Sequence, residues 1–318
     1  MIKIEGAQSL VDAGPLGELV CDLRGRLFRR EKLRLAVGDR VELSLPEGEP
    51  EPVQEGESPS PRGVIEAVLP RRNALNRARD LKRDQVLVAN VDRVFLVVAV
   101  MEPPYKRAFL DRLLIGCERD EIEPVLVFNK IDLASPEYRD LVEEDAQVYR
   151  ALGYRAFLCS ADTGQGMPAL LEAFSQGVSA VIGPSGVGKS SLLNRVCPGL
   201  RLRTGEVSVD RDGRGRHTTS AAELVRLPGG GFVVDTPGVR GFALGDADVA
   251  DVTAGFRELT ELAPGCKFRD CAHKDEPACA VRQAVAEGEV DEERYQSYLR
   301  LREEAEASEA TRQSTRRR

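Results

Sequence analysis

The chain has 318 residues, 42% hydrophobic and 31% charged, with 45 Lys and Arg against 52 Asp and Glu for a formal net charge of −7. That apolar share is ample for packed cores and excludes a wholly disordered chain, while the length points to two or three domains. No apolar run approaches the roughly 18–20 residues of a bilayer span, and the opening Met1-Ile2-Lys3-Ile4-Glu5 lacks a signal-peptide layout, so a cytoplasmic protein with no membrane partner is expected.

Up to about residue 79 the chain reads as short strands over 17–22, 37–43 and 63–70, punctuated by Gly and Pro, the pattern of a small β-barrel. Residues 45–61 carry Glu47, Glu49, Glu51, Glu55 and Glu57 among prolines with almost no apolar residue, and are expected to form a mobile inter-strand loop. Without those five acids the segment is net positive, which weakens the objection that an acidic chain raises to a nucleic-acid partner. Arg24, Arg26, Arg29, Arg30, Lys32 and Arg34 form its densest basic run, a candidate RNA-binding face, and Arg71, Arg72, Arg77 and Arg79 form a second. Phe28 is the one aromatic residue there, so contacts are expected to be to phosphate rather than to stacked bases.

From residue 90 the pattern changes to nearly continuous apolar runs, 94–100, 125–128, 156–159, 180–182 and 232–234, as parallel strands buried on both faces require. Helical patterns lie between them. Tyr138, Leu141, Val142, Val148, Tyr149 and Leu152 fall on one helix face, which Gly153 closes. Alternating strand and helix signal a doubly wound α/β domain. Beyond about residue 248 strands give out, a cysteine-rich stretch follows, and 290–310 reads as a charged helix with Tyr295, Tyr298, Leu299 and Leu301 as its apolar positions. Domains over 1–79, 80–248 and 249–318 follow from these shifts.

Gly183, Pro184, Ser185, Gly186, Val187, Gly188, Lys189 and Ser190 match GxxxxGK[ST] between an apolar strand and a helical run that opens at Ser191. Glycines let backbone N–H groups converge on phosphate oxygens, and the helix N-terminus adds positive potential. Lys189 would reach the β- and γ-phosphates and the Ser190 hydroxyl would ligate Mg²⁺. A kinase or ATPase shares such a loop, so the base must be read elsewhere. Asn129-Lys130-Ile131-Asp132 directly follows a strand, where α/β sheets bind ligands. The Asp132 carboxylate can accept from guanine N1–H and the exocyclic amine, a donor pair adenine does not offer. The Asn129 amide can serve guanine's Hoogsteen acceptors, and the Lys130 stem can pack over the base. Ser160 and Ala161 follow the next strand, resembling the loop that meets guanine O6 through a backbone N–H.

Asp235-Thr236-Pro237-Gly238 closes another strand; Asp235 would hold Mg²⁺ and the Gly238 N–H would sense the γ-phosphate. The next residue is Val239, which cannot orient water as the glutamine of Ras-like enzymes does. His217, in the Gly/Arg-rich stretch Gly213-Arg214-Gly215-Arg216-His217-Thr218-Thr219, is the candidate for that role, a surface histidine being the alternative. Thr219 is the candidate switch threonine on Mg²⁺, with Thr218 as alternative. The base motifs precede the phosphate motifs, the reverse of the usual GTPase order, so the chain is read as a circular permutation.

Cys266, Cys271, His273 and Cys279 supply the three thiolates and one imidazole that close a tetrahedral Zn²⁺ shell with no open position, a structural rather than catalytic centre. The other four cysteines are scattered in apolar surroundings, which favours a reduced compartment over a disulfide framework.

This layout resembles the circularly permuted GTPases of small ribosomal subunit biogenesis, the RsgA/YjeQ family. The resemblance covers almost the whole chain and rests on GPSGVGKSSLLN, GRGRHTTS, DTPGVRGF and CKFRDCAHKDEPAC, with LAVGDRVEL and NALNRAR in support. It implies an OB-fold for the N-terminal barrel, a helical zinc-binding C-terminal domain, and GTP hydrolysis to GDP stimulated by the 30S subunit. It further implies a role in late subunit maturation through contacts with 16S rRNA. A monomer is expected. The alternative from a different class is a nucleotide-gated RNA-binding module whose turnover is too slow to matter.

Overall fold

The computed structural model describes residues 1–5, 8–24, 35–45, 63–77, 85–198, 223–235 and 247–316. They divide into two compact units. One comprises Met1–Arg93, Leu171–Val181 and Leu192–Phe242; the other comprises Val94–Leu170, Ile182–Ser191 and Ala243–Arg318.

The first unit begins with β1 (Lys3–Glu5), β2 (Gln8–Asp12) and β3 (Glu18–Leu23), three antiparallel strands in sequence, β2 turning into β3 through a short helical turn at Gly14–Leu16. β4 (Val41–Ser44) pairs antiparallel with β5 (Gly63–Val68), with a bulge between Glu42 and Leu43, and β5 runs parallel to β3 with Cys21 opposite Gly63. Alternation along β2 and β3 turns Val11, Leu19 and Cys21 inward, where they pack with Met1 and Ile65. β6 (Ala74–Arg77) and β7 (Gln85–Ala89) make a separate antiparallel pair. β3, β4 and β5 answer to the three strands expected from sequence, β4 opening four residues later than the periodicity predicts. Val37, the expected start, makes only an isolated bridge to Val88.

Arg71 and Arg72 of the second basic run each pair with a carboxylate of this unit. Arg71 grips the fully buried Asp39 through Nε at 2.6 Å and Nη2 at 2.9 Å. Arg72 donates to Asp92 at 2.7 Å.

In the second unit β8 (Arg93–Ala99), β9 (Glu123–Asn129) and β10 (Arg155–Leu158) lie side by side, β10 parallel to β9 with Leu158 opposite Phe128. Val125, Leu126, Val127 and Phe128 are all fully buried, as the continuous apolar run required. Two helices connect the strands: α1 (Arg107–Arg119) and α2 (Pro136–Ala151). Ser135 caps α2 by accepting from the Tyr138 N–H at 3.3 Å, and Pro136 fills the first helical position, where a missing N–H costs nothing. α2 buries Val142, Ala146 and Tyr149 but leaves Leu141 55% exposed. Its apolar stripe is therefore narrower than the sequence pattern implied.

α3 (Met167–Phe174) leads into β11 (Val178–Ile182), and the phosphate-loop sequence then leads into α4 (Lys189–Val196). β12 (Glu223–Arg226) and β13 (Phe232–Asp235) form a hairpin; β13 runs parallel to β11, and β12 pairs with β1 through Glu223 and Lys3.

Four helices complete the second unit: α5 (Val249–Ala254), α6 (Arg257–Leu262), α7 (Ala280–Ala286) and α8 (Glu292–Arg316). Phe256, Leu259, Val281, Tyr298 and Leu301 form their core together with Ile115 of α1. α8 is also held to α1 by ions. Arg294, 1% exposed, meets Asp111 at 2.7 Å and Glu258 at 2.8 Å and lies over the rings of Phe256 and Tyr149. Burial pulls against its charge, but Glu258 and Asp111 outweigh burial and hold the guanidinium proton more firmly than usual. Among the described residues no helix is long and apolar enough to cross a membrane.

Candidate nucleotide site and metal centre

The site is built around the end of β9. Asn129 is 1% exposed, and its side chain joins three loops. Nδ2 donates to the Val187 carbonyl at 2.8 Å, and Oδ1 accepts from the Ala161 N–H at 3.0 Å with the Cys159 thiol 3.8 Å away. Burial pushes that thiol up to about 12, so it stays neutral beside the amide. Asn129 thus ties the phosphate loop to the 159–161 loop. Sequence reasoning gave this amide to guanine; here its oxygen and one N–H are engaged by protein.

Lys130 follows in the left-handed conformation, φ 65°, which swings the chain into the short helical turn Ile131–Leu133 and brings Asp132 forward. Asp132 is half-buried, and its Oδ1 is shielded from solvent with no hydrogen-bond donor. A buried carboxylate oxygen without a donor is unfavourable by itself, and an N–H from a ligand would relieve it. Ser160, fully buried, shapes the adjoining turn by accepting from the Thr163 N–H at 3.0 Å.

The phosphate loop lies in the same unit. A Cβ on Gly183 would overlap the Val97 carbonyl, and one on Gly188 would overlap the Asn129 amide nitrogen, so both positions admit only glycine. Pro184, Ser185 and Gly186 form the outer bend, where Ser185 and Gly186 are exposed, while Val187 is buried beneath it. Lys189 folds back across the loop and donates to the carbonyls of Gly183, at 2.8 Å, and Pro184. Ser190 and Ser191 continue the first turn of α4, half-buried. Sequence-distant segments 129–132, 160–161 and 183–191 therefore meet around one amide, in an arrangement suited to a base on one side and phosphates on the other.

Asp235 ends β13 in the other unit. His217, Thr218, Thr219 and Gly238 lie outside the described residues, as do Arg26, Arg29, Arg30, Lys32, Arg34, Arg79 and residues 46–61 of the acidic loop. Arg24 is described; it pairs with Glu66, which also accepts from the Ser44 hydroxyl at 2.7 Å.

Cys266, Cys271, His273 and Cys279 offer ligand atoms that all lie within 4.8 Å of one another. The distances suit a tetrahedral zinc shell. Zinc–sulfur bonds of about 2.3 Å and zinc–nitrogen bonds of about 2.0–2.1 Å give tetrahedron edges of about 3.8 Å between sulfurs and about 3.6 Å from sulfur to nitrogen. The Cys266 and Cys279 sulfurs are 3.8 Å apart, and His273 Nδ1 stands 3.6 Å from Cys266 and 3.4 Å from Cys279. Burial keeps His273 below its ordinary value, neutral and able to ligate. Burial pulls the Cys266 thiol up, but the N–H groups of Val281 and Ala280 together with the Cys279 and Cys271 thiols more than offset it, whereas Cys271 is raised by burial and by its neighbouring sulfurs. Three thiolates this close need a cation to ionise together. α8 buttresses the cluster: the Tyr295 hydroxyl donates to the His273 carbonyl at 2.6 Å and Tyr298 to the Ala272 carbonyl at 3.0 Å.

Two features of this unit escaped sequence reasoning. One is the Arg294, Asp111 and Glu258 ion cluster, which no local spacing announces. The other is the segment between β8 and α1, whose Glu102 carbonyl accepts from the Lys130 ammonium at 2.6 Å; the only signal for it was the paired prolines Pro103 and Pro104 at the end of a strand.

A family model described as RsgA GTPase matches residues 68–245. Among named relatives, the small ribosomal subunit biogenesis GTPase RsgA of Moorella thermoacetica is 46% identical over 279 residues, 88% of this chain and 87% of that one. The protein of the same name from Actinobacillus succinogenes is 44% identical over 239 residues, 75% of this chain and 68% of its own length. Among solved structures, YjeQ from Thermotoga maritima superposes with a TM-score of 0.77 at 36% identity over 96% of each chain. YloQ, described as a circularly permuted GTPase, superposes with a TM-score of 0.75 at 28% identity, over 97% of this chain and 94% of that one.

Proposed function

The chain belongs to the RsgA GTPase family, and on that premise we propose that it hydrolyses GTP to GDP and phosphate as a ribosome-stimulated switch in late maturation of the 30S subunit. The observation that carries the guanine reading is Asp132, whose shielded Oδ1 has no donor, held beside a phosphate loop that Asn129 clamps in place. A carboxylate so placed accepts from guanine N1–H and the exocyclic amine, and the Lys130 stem covers the base.

The phosphates then lie in the cradle of the 185–188 N–H groups. Lys189 exchanges the carbonyls of Gly183 and Pro184 for β- and γ-phosphate oxygens, a stronger charge-assisted partner. Ser190, Thr219 (or Thr218) and Asp235 are the residues to hold Mg²⁺, which when bound neutralises charge building on the phosphate oxygens. The Gly238 N–H senses the γ-phosphate, and His217 orients the attacking water in place of the missing glutamine.

In this reading residues 1–79 form an OB-fold barrel, with Arg24, Arg26, Arg29, Arg30, Lys32 and Arg34 on 16S rRNA phosphates. Residues 80–248 are the permuted GTPase domain, and 249–318 a helical domain stapled by one structural Zn²⁺ on Cys266, Cys271, His273 and Cys279. The protein acts as a cytoplasmic monomer. Its switch at 235–238 leads along the chain directly into the C-terminal helices, so a γ-phosphate-dependent shift is passed to them. Relatives at 44–46% identity carry the name of GTPases, which disfavours a binding module without turnover. The test is GTP hydrolysis by the free protein and with 30S, 50S and 70S particles: stimulation by 30S alone supports the switch, and equal rates throughout contradict it.

A further inference from the structure

The segment between β8 and α1 carries no nucleotide motif, yet it walls the base loop. The Glu102 carbonyl receives the Lys130 ammonium at 2.6 Å, and Pro103 Cδ lies 3.9 Å from where a Cβ on Gly186 would stand. Glu102 itself is left-handed, φ 55°, a conformation that residues with side chains seldom hold unless their surroundings fix it.

Three residues on, Tyr105 anchors the same segment. Its ring packs edge-on against Phe128, with centroids 5.1 Å apart and planes at 75°, and Phe128 immediately precedes Asn129. Its hydroxyl donates to Asp145 on α2, and Asp145 also lies 3.4 Å from Arg107, the first residue of α1. The strap is therefore pinned at its far end to the strand that delivers Asn129 and Lys130, and to the helix that follows them.

We propose that Tyr105 is a positioning residue for guanine recognition: it fixes the 102–105 strap so that the Glu102 carbonyl holds the Lys130 ammonium and keeps the lysine stem over the base. This rests on the guanine reading above and deepens it. Tyr105 touches no nucleotide; it acts through Glu102 and Lys130. A lysine stem with four rotatable bonds contributes to base binding only when its end is held, and the strap is what holds it.

Tyr105→Phe removes one hydroxyl and keeps the ring contact with Phe128. In the full chain with Mg²⁺, we expect a fluorescent ribose-labelled GDP to bind about tenfold more weakly, through faster dissociation, with the loss seen in KM rather than kcat for GTP. In a Lys130→Ala background Tyr105→Phe should add nothing, because the residue it acts through is gone. Unchanged affinity in Tyr105→Phe, or the same factor in both backgrounds, overturns the proposal. The guanine reading is tested apart, by GDP against ADP on the unaltered chain. If no preference is found there, that reading fails; a clear preference with an indifferent Tyr105→Phe defeats the positioning role alone.

Discussion

Replacing Arg294 with methionine tests what holds the C-terminal helix to α1. The side chain is 1% exposed and bridges two carboxylates, Asp111, itself fully buried, and Glu258. Methionine keeps an apolar stem against Phe256 and Tyr149 but leaves both carboxylates without their cation. Breaking a buried ion pair from one side costs about 3–5 kcal/mol, because the stranded charge has lost its water as well as its partner. The upper part of that range is expected, since Asp111 Oδ2 already lacks a donor and only the Tyr149 hydroxyl, at 2.8 Å, would remain on Oδ1. Urea unfolding followed by far-UV circular dichroism reads the loss; the chain has 6 tyrosines and no tryptophan, so tyrosine emission is the second probe. Combining Arg294→Met with Asp111→Asn and Glu258→Gln should recover most of the stability, as no buried charge is then stranded. A loss under about 1 kcal/mol in the single variant, the range of exposed ion pairs, would show that this ion cluster does not hold α8 to α1.

Gly188→Ala should weaken GDP binding at least tenfold while leaving far-UV dichroism intact, since a Cβ there collides with the Asn129 amide and the φ of 91° is strained for alanine; equilibrium titration checks it. Removing zinc with a chelator, or substituting Cys271→Ser, should loosen 263–300, read as faster hydrogen exchange there with 123–129 still protected, because metal binding and local folding are one equilibrium at such sites. His217→Ala is expected to retain GTP binding and to lower turnover at least tenfold, about 1.4 kcal/mol of barrier, in single-turnover assays.

What could be read from sequence was what depends on local spacing. The phosphate loop, the Asn129–Asp132 tetrapeptide and the cysteine cluster each need only a few neighbouring residues, and 125–128 announces a buried strand because all four side chains are apolar. β1 was not legible: a strand of three residues is defined by a partner far away in the chain, Glu223 opposite Lys3. Charge is equally ambiguous. Arg71 looks like a surface cation until the buried Asp39 is found beneath it, and Arg294 looks like a solvated helix residue until Asp111, far upstream, meets it. The amide of Asn129 was assigned to the base because its type and position suited guanine; its contacts with Val187 and Ala161 depend on how three loops converge.

In the proposed function residues 129–132 and 183–190 form one guanine-nucleotide pocket in which the Asp132 carboxylate reads the base. Asp132→Asn replaces one of two acceptor oxygens with an NH2 donor, and xanthine replaces guanine's amine with a carbonyl. Competition between GTP and XTP for the variant measures the claim directly. GTP affinity is expected to fall about a hundredfold, as one charge-assisted hydrogen bond is lost and the other loses its charge, with XTP becoming the preferred nucleotide. A variant that still binds GTP within about threefold of the unaltered chain, with no gain for XTP, would contradict it.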